Sequence, residues 1–443
     1  MAQEKETRSE LLVSQVFEDG VVVETVYDPR SRATRFVRQS ADGIEYVASI
    51  DRDGVRYVPV KARNDLVKHR ALLFPSEVVP CGSVEELLGA IETYLARYVV
   101  LPPDAQRLAA GYVILSWLYD AFRELPYLRV RGDYGTGKTR ALIAIGSITY
   151  KPFFASGAST VSPIFHTLNT FKGTLVFDEA DFRFSDEKAE LVKILNNGNV
   201  AGFPVLRTQV TAAKEFEPRA FHVFGPKIVA MRGHYNDRAL ESRFLSIDME
   251  PALKDVVPIN LPDAHDAEAL VLRNKLLHFR FRERLKVRLD DALALPDLEP
   301  RTNQILLPLL SVVPEGAYRS AIVRHAQERH IETVSDRGQT IDGHVLSIVA
   351  TLAGAQPASV VALGDIATAF RAAYAGEYER PITVRYIGSV LRRLGITPYK
   401  SMGVYVIAVG SRLRALYQRF GIGEDTEDSA NTVHDVETGT SGT

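Results

Sequence analysis

Short apolar and β-branched runs fill the first sixty residues and are separated by the pairs Asp19-Gly20, Asp42-Gly43 and Asp53-Gly54. Asp-Gly pairs favour the tight two-residue turns of β-hairpins because such turns require positive φ. The pattern therefore predicts a small antiparallel β-rich domain over residues 1–80, with a structural or docking role. Residues 81–126 change to apolar positions at helical spacing, which predicts a helical brace.

Strand-like and helix-like segments alternate through residues 127–250. Such alternation is typical of an α/β domain in which a mostly parallel sheet carries helices on both faces. Residues 251–345 have helical periodicity and predict a helical lid, while residues 346–420 mix helices with short strands. The predicted strands of the sheet are 127–131, 152–155, 173–178, 227–231 and 244–248, and the predicted helices begin near 138, 163 and 188.

The composition is that of a globular chain with several domains: 443 residues, 46% of them hydrophobic, and a formal net charge of −2. Residues 421–443 are acidic and poor in apolar residues, which predicts a disordered tail. The single cysteine, Cys81, excludes an intrachain disulfide and a cysteine-rich zinc cluster, and it leaves the cytoplasm as the expected compartment. No apolar run has membrane-spanning length, so we expect no membrane partner.

The segment Gly132-Asp-Tyr-Gly-Thr-Gly-Lys-Thr139 joins a predicted strand to a predicted helix. A glycine-rich loop at a helix N-terminus binds phosphate because its backbone amides and the helix dipole point at the anion. In this motif Lys138 reaches the terminal phosphates and Thr139 ligates magnesium. The sequence therefore predicts ATP and Mg²⁺ as cofactors, with the binding residues Gly132, Gly135, Thr136, Gly137, Lys138 and Thr139.

A second predicted strand ends in acid, in Gly173-Thr-Leu-Val-Phe-Asp178-Glu179. The carboxyl ends of parallel strands meet at the edge of the sheet where ligands bind. We expect Asp178 to bind the magnesium together with Thr139, and Glu179 to polarise the attacking water. The alternative is that both carboxylates only cap the following helix.

The order of these motifs, followed by a helical lid, resembles the AAA+ P-loop ATPases. The segment Ala239-Leu-Glu-Ser-Arg243-Phe244 is similar to the arginine-finger motif of MCM-like and superfamily-3-like replicative helicases of phages, plasmids and mobile elements. The resemblance implies that Arg243 reaches the γ-phosphate held by a neighbouring subunit; a local salt bridge to Glu241 or Asp237 is the alternative. The catalytic residues that it implies are Lys138, Asp178, Glu179 and Arg243.

The same resemblance implies two sensor positions that contact the nucleotide. After the fourth predicted strand the chain continues Arg232-Gly-His-Tyr-Asn236, which departs from the family's small residue followed by Asn, so Arg232 and Asn236 are both sensor-1 candidates. Arg301, near the start of a lid helix, resembles a sensor-2 arginine that helps to bind ATP. A solvated arginine at a helix start is the alternative.

Residues 203–224 contain two β-like runs around residues 211–215 and resemble the hairpin that these helicases insert before sensor 1. The resemblance implies that Lys214, at the tip, grips DNA phosphate inside a ring, with Arg207 and Arg219 as supports. A ring would multiply one lysine into a collar of positive charge around the polyanion. A surface hairpin without a ligand is the alternative.

Residues 346–420 resemble a winged helix. Thr383 is the expected N-cap of its second helix, Gly395 the expected stop, and residues 398–408 predict a turn and a wing strand. A solvated charged face is the alternative to DNA binding, and internal ion pairs explain the basic stretch 273–288 equally well. The residues expected to contact DNA here are Arg385, Arg392, Arg393 and Lys400.

The resemblance as a whole implies a ring-forming homo-oligomer, a hexamer by analogy, that hydrolyses ATP to move on or unwind DNA. It places single-stranded DNA in the pore and duplex DNA at the winged helix. The alternative is an ATP-switched initiator or loader that assembles on DNA without unwinding it. A remodeller of protein substrates is disfavoured, because Ser156-Gly-Ala-Ser-Thr160 stands where such machines have an aromatic-hydrophobic-Gly pore loop.

Overall fold

The computed structural model describes residues 8–178, 186–210, 216–235, 237–250, 257–355, 360–374 and 382–423. The chain folds as two compact units, Met1–Ala326 and Gln327–Thr443. Each unit has its own buried apolar core.

Two small sheets form the start of the first unit. Their elements are β1 (Arg8–Leu11), β2 (Ser14–Val16), β3 (Val22–Asp28), β4 (Ala33–Ser40), β5 (Gly43–Val47), β6 (Ile50–Arg52), β7 (Val55–Val58) and the short helix α1 (Asp65–Lys68). Strands β2, β3, β4 and β5 pair in that order, and β1, β7 and β6 form the second sheet. The predicted turn residues Asp53 and Gly54 have φ of 52° and 77°. The chain crosses from one sheet to the other between Val47 and Ile50.

Two helices follow the small sheets: α2 (Val84–Tyr98) and α3 (Pro103–Leu118). Ser83 begins α2 with a capping box, since its hydroxyl accepts from the Glu86 amide at 3.1 Å and the Glu86 carboxylate accepts from the Ser83 amide at 2.8 Å. Trp117 on α3 is fully buried and donates to the Ile148 carbonyl at 3.0 Å. The predicted helical segment and the packing role of Trp117 are therefore confirmed.

The next elements alternate as the sequence predicts. They are β8 (Tyr127–Arg131), α4 (Lys138–Gly146), β9 (Phe153–Ser156), α5 (Val161–Phe171), β10 (Leu175–Asp178), α6 (Asp186–Asn197), β11 (Val205–Val210), β12 (Phe216–Phe221), β13 (Lys227–Met231), α7 (Arg238–Glu241) and β14 (Phe244–Asp248). Among the described residues, five of these strands form a parallel sheet in the order β14-β8-β13-β10-β9. The fold is thus mixed α/β with a parallel sheet, in agreement with a P-loop ATPase core.

Strands β11 and β12 form a separate antiparallel hairpin. Val205 lies opposite Phe221, and Val210 lies opposite Phe216. The hairpin predicted around residues 211–215 is therefore confirmed in its strands, and its tip lies outside the described residues.

Helices complete the first unit: α8 (Ala264–Glu283), α9 (Pro300–Val312) and α10 (Ala317–Gly338), within which the boundary between the two units falls. Within the described residues, no helix combines the length and the apolar character that crossing a membrane requires.

A buried ionic cluster ties α8 to the small sheets and to the end of α3. Arg280 on α8 donates to Glu24 of β3 at 2.6 Å and forms two bonds of 2.8 Å with Asp120. Tyr150 also donates to Glu24, at 2.6 Å, while Arg284 donates to Asp120 at 2.9 Å. Glu24 and Arg280 are each only 2% exposed. Part of the basic stretch 273–288 is therefore used in internal ion pairs.

The second unit contains helices and a small antiparallel sheet. Its further elements are α11 (Ile341–Ala355), β15 (Val360–Ala362), α12 (Leu363–Tyr374), α13 (Val384–Arg393), β16 (Tyr399–Ser401), β17 (Val404–Ala408) and α14 (Ser411–Arg419). The sheet order is β15-β17-β16. Thr383 caps α13 by accepting from the Tyr386 amide at 3.2 Å, and Gly395 follows the helix with φ of 76°. Val361 belongs to β15, since it pairs with Ile407 of β17.

The ionic cluster predicts an acid-sensitive contribution to stability. Burial by itself would raise the pKa of Asp120, but the guanidinium groups of Arg280 and Arg284 outweigh it and lower the pKa to about 2. Because the folded pKa lies below the unfolded value, the carboxylate stabilises the fold above about pH 4, and this contribution is lost as the pH falls towards 2.

We expect Asp120→Asn to lower the free energy of unfolding by about 2 kcal/mol at neutral pH, since the buried Arg280 loses one of its two carboxylate partners and keeps Glu24. Denaturant unfolding at a series of pH values measures this. The loss of stability between pH 4 and pH 2 should also be shallower in the variant; an equally steep loss in both proteins would contradict the assignment.

Candidate functional site

The loop of residues 132–137 connects the buried strand β8 to α4. Gly135 and Gly137 have φ of 78° and 88°, so both adopt the left-handed backbone that glycine tolerates best. Gly137 is the residue that precedes the first turn of α4. The backbone therefore turns sharply into the helix N-terminus, which is the local geometry that phosphate binding requires.

Gly132 is required for a different reason from the one expected, which was backbone curvature. Its φ is not positive, but a Cβ at this position would lie 2.7 Å from the Thr136 hydroxyl and 2.8 Å from the Met249 carbonyl. Thr136 is 5% exposed and donates to the Asp133 carbonyl at 2.9 Å. Close packing of the loop against the end of β14 therefore excludes a side chain at residue 132.

The expected phosphate and magnesium ligands meet at the carboxyl edge of the sheet. The Lys138 ammonium donates to the Asp133 carbonyl at 2.6 Å, which keeps it at the loop. The Thr139 hydroxyl donates to Asp178 Oδ2 at 2.7 Å, although 39 residues separate the two in sequence. A cavity of about 270 Å³ lies beside this pair and is lined by Ser156, Ser159 and residues of α4. A hydroxyl and a carboxylate at this distance are hard oxygen donors that fit Mg²⁺. Glu179 lies outside the described residues.

One of the two sensor-1 candidates is placed at the loop. The Arg232 guanidinium lies 5.9 Å from the ring of Tyr134, a loop residue that is 84% exposed. Asn236 lies outside the described residues. Arg232 is therefore the candidate that the structure brings to the nucleotide edge.

Arg243 lies at the opposite edge of the sheet. Its carbonyl accepts from the amide of Tyr127, the first residue of β8, at 2.8 Å. Its guanidinium donates to the Asn196 side-chain oxygen at the end of α6, and Asn196 in turn donates to Asp237 at 3.2 Å. Partial burial, followed by the nearby Arg301, lowers the pKa of Arg243.

Of the two carboxylates offered as local partners of Arg243, Asp237 is linked to it through Asn196, whereas Glu241 pairs with another residue. Glu241 accepts from Arg129 of β8 at 2.7 and 2.5 Å and from the Tyr235 amide at 3.0 Å. Arg129 is 3% exposed and also donates to the Ser246 hydroxyl at 2.9 Å. These contacts fix the short helix α7 against β8.

This network was not predicted from the sequence, although the sequence carries a signal for it. The strand Tyr127-Leu-Arg-Val-Arg131 places two arginines inside a buried run. Arg131 pairs with Asp248 of β14 at 2.5 and 2.8 Å. A charged residue within a buried strand requires a partner, so the two arginines indicate acids on a neighbouring element.

Arg301, the sensor-2 candidate, lies at the same edge as Arg243. It donates to Gln304 at 2.6 Å and lies 3.7 Å from Glu124, which precedes β8. The structure therefore brings Arg301 together with Arg243 and does not bring it to Lys138 of the same chain. Its role in binding nucleotide stays a prediction.

The two arginines of the hairpin differ in their surroundings. Arg207 donates to Glu190 of α6 at 2.9 Å, with its guanidinium 5.2 Å from the ring centre of Phe165. Arg219, its register partner, lies 5.4 Å from the ring centre of Phe221. Lys214 lies outside the described residues. Arg207 therefore ties the hairpin to α6, whereas Arg219 is exposed and contacts a ring of its own strand. The expected role of both arginines in supporting Lys214 stays a prediction.

A buried lysine holds the base of the hairpin. The Lys227 ammonium donates to the carbonyls of Val223, Gly225 and Gly198 at 2.8, 3.0 and 3.1 Å. Lys227 is fully buried, and this burial lowers its pKa to about 7. The contacts tie the end of α6 to the segment that follows β12.

All four residues expected to contact DNA in the second unit are exposed: Arg385, Arg392 and Arg393 on α13, and Lys400 on β16. Arg393 forms an ion pair with Asp342 of α11. The expected role of Arg393 in DNA binding therefore competes with a contact that packs α13 against α11.

No protein-family model and no curated protein matches the chain. Solved structures that resemble it include the C-terminal region of NrS-1 (12% identity, 88% of this chain and 97% of that one, TM-score 0.36). They also include an active helicase, Cch, of SCCmec type IV (11% identity, 87% and 80%, TM-score 0.40). A third is a full-length MCM homolog from Methanopyrus kandleri (11% identity, 70% and 76%, TM-score 0.35).

The chain is thus similar to solved helicases, as the sequence resemblance implies. At TM-scores of 0.40 or lower, however, these likenesses carry no weight in assigning a function. The site is therefore interpreted from its own geometry.

The packing of the loop predicts that Gly132→Ala weakens ATP binding at least about tenfold, which corresponds to about 1.4 kcal/mol of binding free energy. The added Cβ would displace Thr136 or the Met249 backbone. Titration with a fluorescent ATP analogue measures the change. Gly233→Ala is the matched control, because a Cβ there meets no atom within 4 Å; equal affinities of the two variants would contradict the account.

Proposed function

We propose that the chain is an ATP hydrolase of the AAA+ type that forms a ring, a hexamer, and uses ATP hydrolysis to move on or unwind DNA. One observation carries the proposal: the phosphate loop and Arg243 lie at opposite ends of β8. The loop begins at Gly132, after the last residue of the strand, whereas Arg243 bonds to Tyr127, the first. Five residue steps of strand separate them by roughly 16 Å, at about 3.3 Å per residue.

This separation supports catalysis between subunits. An arginine at the amino edge of the sheet is too far from the loop of its own chain to stabilise a transferring phosphoryl group there. Its rigid fork is held in place by Asn196 and, through α7, by the pair between Arg129 and Glu241. Arg243 is therefore suited to the nucleotide of an adjacent copy, where a guanidinium stabilises developing charge.

The chemistry at the carboxyl edge follows from the residues there. Thr139 and Asp178 would hold magnesium, whose charge neutralises the phosphate oxygens when it is bound. The loop amides and Lys138 would bind the phosphates, while Glu179, next to Asp178 in sequence, would orient the attacking water. Arg232 is the sensor-1 residue in this proposal.

DNA contact is assigned to two surfaces. Lys214 at the hairpin tip would face single-stranded DNA in the pore, and the second unit would bind duplex as a winged helix. Residues 382–423 contain seven Arg and Lys residues and no Asp or Glu, which supports binding of a polyanion. The proposal also includes the six segments predicted from the sequence (1–80, 81–126, 127–250, 251–345, 346–420 and 421–443), a cytoplasmic location, and a replicative role in a phage or mobile element.

A second candidate function is an initiator or loader that uses ATP to assemble on DNA without unwinding it. The basic segment 382–423 favours it, because that surface would supply DNA affinity without the hairpin. Both functions share the ATPase site, so the hairpin distinguishes them.

We expect Arg243→Ala to bind ATP as the unchanged protein does and to lose turnover by about a thousandfold or more, the range of an arginine finger. Binding should be retained because Arg243 does not touch the loop of its own chain. Steady-state hydrolysis and nucleotide titration measure the two effects. Arg238, an exposed arginine on the short helix α7 that precedes Arg243, provides the control. Arg238→Ala should keep full turnover; comparable losses in both variants would point to damage of α7.

We expect Lys214→Ala to keep hydrolysis in the absence of DNA and to lose its stimulation by single-stranded DNA, together with strand displacement. The reason is that one cation per subunit would be removed from the pore. Lys193→Ala, an exposed lysine of α6, is the control. If Lys214→Ala displaces strands at the normal rate, the initiator function is the better assignment.

A further inference from the structure

The tip of the β16–β17 hairpin carries a residue that the fold does not explain. Met402 and Gly403 form a two-residue turn with φ of 45° and 87°. Both angles are positive, as in type I′ turns, whose first position favours Asn, Asp or Gly. Among the non-glycine residues with positive φ in the described chain, Met402 alone is apolar. Its side chain is fully exposed, at 102%.

Both the backbone conformation and the exposure of Met402 are therefore unfavourable for the stability of the isolated protein. Its backbone adopts a region that non-glycine residues rarely occupy, and its side chain gains no burial in return. Asparagine would suit the turn better and would remove the exposed apolar group. Such an outlier is a reason to look for a partner of the side chain.

The surroundings of the tip define the chemistry of that partner. Lys400 and Tyr405 are register partners next to the turn, and Tyr405 is 54% exposed. Val404 and Tyr399 are also exposed, at 53% and 44%. The wing thus presents apolar and aromatic groups within a segment, residues 382–423, whose charged residues are all basic. Positive charge flanking an apolar tip is complementary to the phosphates and stacked bases of nucleic acid.

We propose that Met402 is an apolar wedge that enters a base step of duplex DNA from the minor groove and bends it. The inference rests on the proposed DNA binding of the second unit and adds the mode of contact. The two-residue turn is narrow, and the unbranched methionine side chain is flexible enough to enter between bases. Lys400 lies two residues before the wedge and binds the adjoining phosphate. Apolar side chains inserted in this way unstack a step and kink the helix.

The test uses the full chain, without ATP, and a closed dumbbell duplex of about 20 base pairs, a typical bent site length, with a donor and an acceptor dye near its two ends. Energy transfer reports bending, anisotropy reports affinity, and calorimetric melting reports stability. We expect the unchanged protein to raise the transfer efficiency on binding. Met402→Asn is expected to weaken duplex binding about tenfold and to abolish the rise in transfer, with a melting temperature equal to or above that of the unchanged protein.

Two further variants test whether bending depends on an apolar side chain at residue 402 and not on the positive charge of Lys400. Met402→Leu keeps an apolar tip and should retain bending. Lys400→Ala should reduce the slope of log affinity against log salt by about one, whereas Met402→Asn should leave that slope unchanged.

Several results would contradict the proposal, and each has a different meaning. Bending by Met402→Asn equal to that of the unchanged protein, or loss of bending in Met402→Leu, overturns the wedge. A protein that binds the duplex without bending it also overturns the wedge. If the unchanged chain does not bind the duplex and Lys400→Ala changes nothing, the proposed DNA-binding role of the second unit itself fails. Loss of binding by Met402→Asn together with a lower melting temperature would make the residue structural and refute the proposal.

Discussion

The buried ion pair between Arg129 and Glu241 determines the geometry on which the proposed catalysis depends. Arg129 lies in the middle of β8 and is only 3% exposed, so removal of its carboxylate partner would leave a charge buried without compensation. The helix α7 is therefore held at the amino edge of the sheet, and Arg243 follows it directly. The same strand leads into the phosphate loop at its other end. The length of β8 thus separates two half-sites, the phosphate loop and Arg243, which lie at opposite ends of the strand. Within one chain, Arg243 therefore cannot complete the phosphate site.

Helix α6 connects these half-sites to the hairpin. It follows the acidic strand β10 after residues 179–185 and ends where Asn196 accepts from Arg243 and where the Gly198 carbonyl accepts from Lys227. Lys227 also holds Val223 and Gly225 at the base of the hairpin. Gly198 has no room for a side chain, because a Cβ there would lie 2.4 Å from the Lys227 ammonium. If Arg243 acts on the nucleotide of a neighbouring subunit, α6 connects three functional parts. It follows β10, which carries Asp178 of its own pocket, and its end contacts both Arg243 and the base of the hairpin that would touch DNA.

The elements that local pattern determines were predictable from the sequence, and the long-range contacts were not. The five parallel strands, the Thr383 cap and the hairpin strands follow from periodicity and turn residues, and all are present. The meeting of Thr139 and Asp178 was also expected, since strand ends share an edge. Partner choice among charged residues was missed: Arg207 pairs with Glu190, Arg393 with Asp342 and Arg129 with Glu241. Each pair joins residues far apart in sequence, so its existence depends on packing that no local pattern records.

The most direct test of catalysis between subunits is to mix two inactive variants, Lys138→Ala and Arg243→Ala, and to measure ATP hydrolysis. The first lacks a working pocket but keeps its arginine, and the second keeps its pocket but lacks the arginine. Where an Arg243→Ala pocket meets the Arg243 of a Lys138→Ala neighbour, both halves of the site are intact. The account predicts that each variant alone is inactive and that co-assembled mixtures regain hydrolysis, with a maximum near equal amounts. Mixtures that form rings but stay inactive at every ratio, or an Arg243→Ala protein that hydrolyses ATP at the full rate by itself, would contradict it.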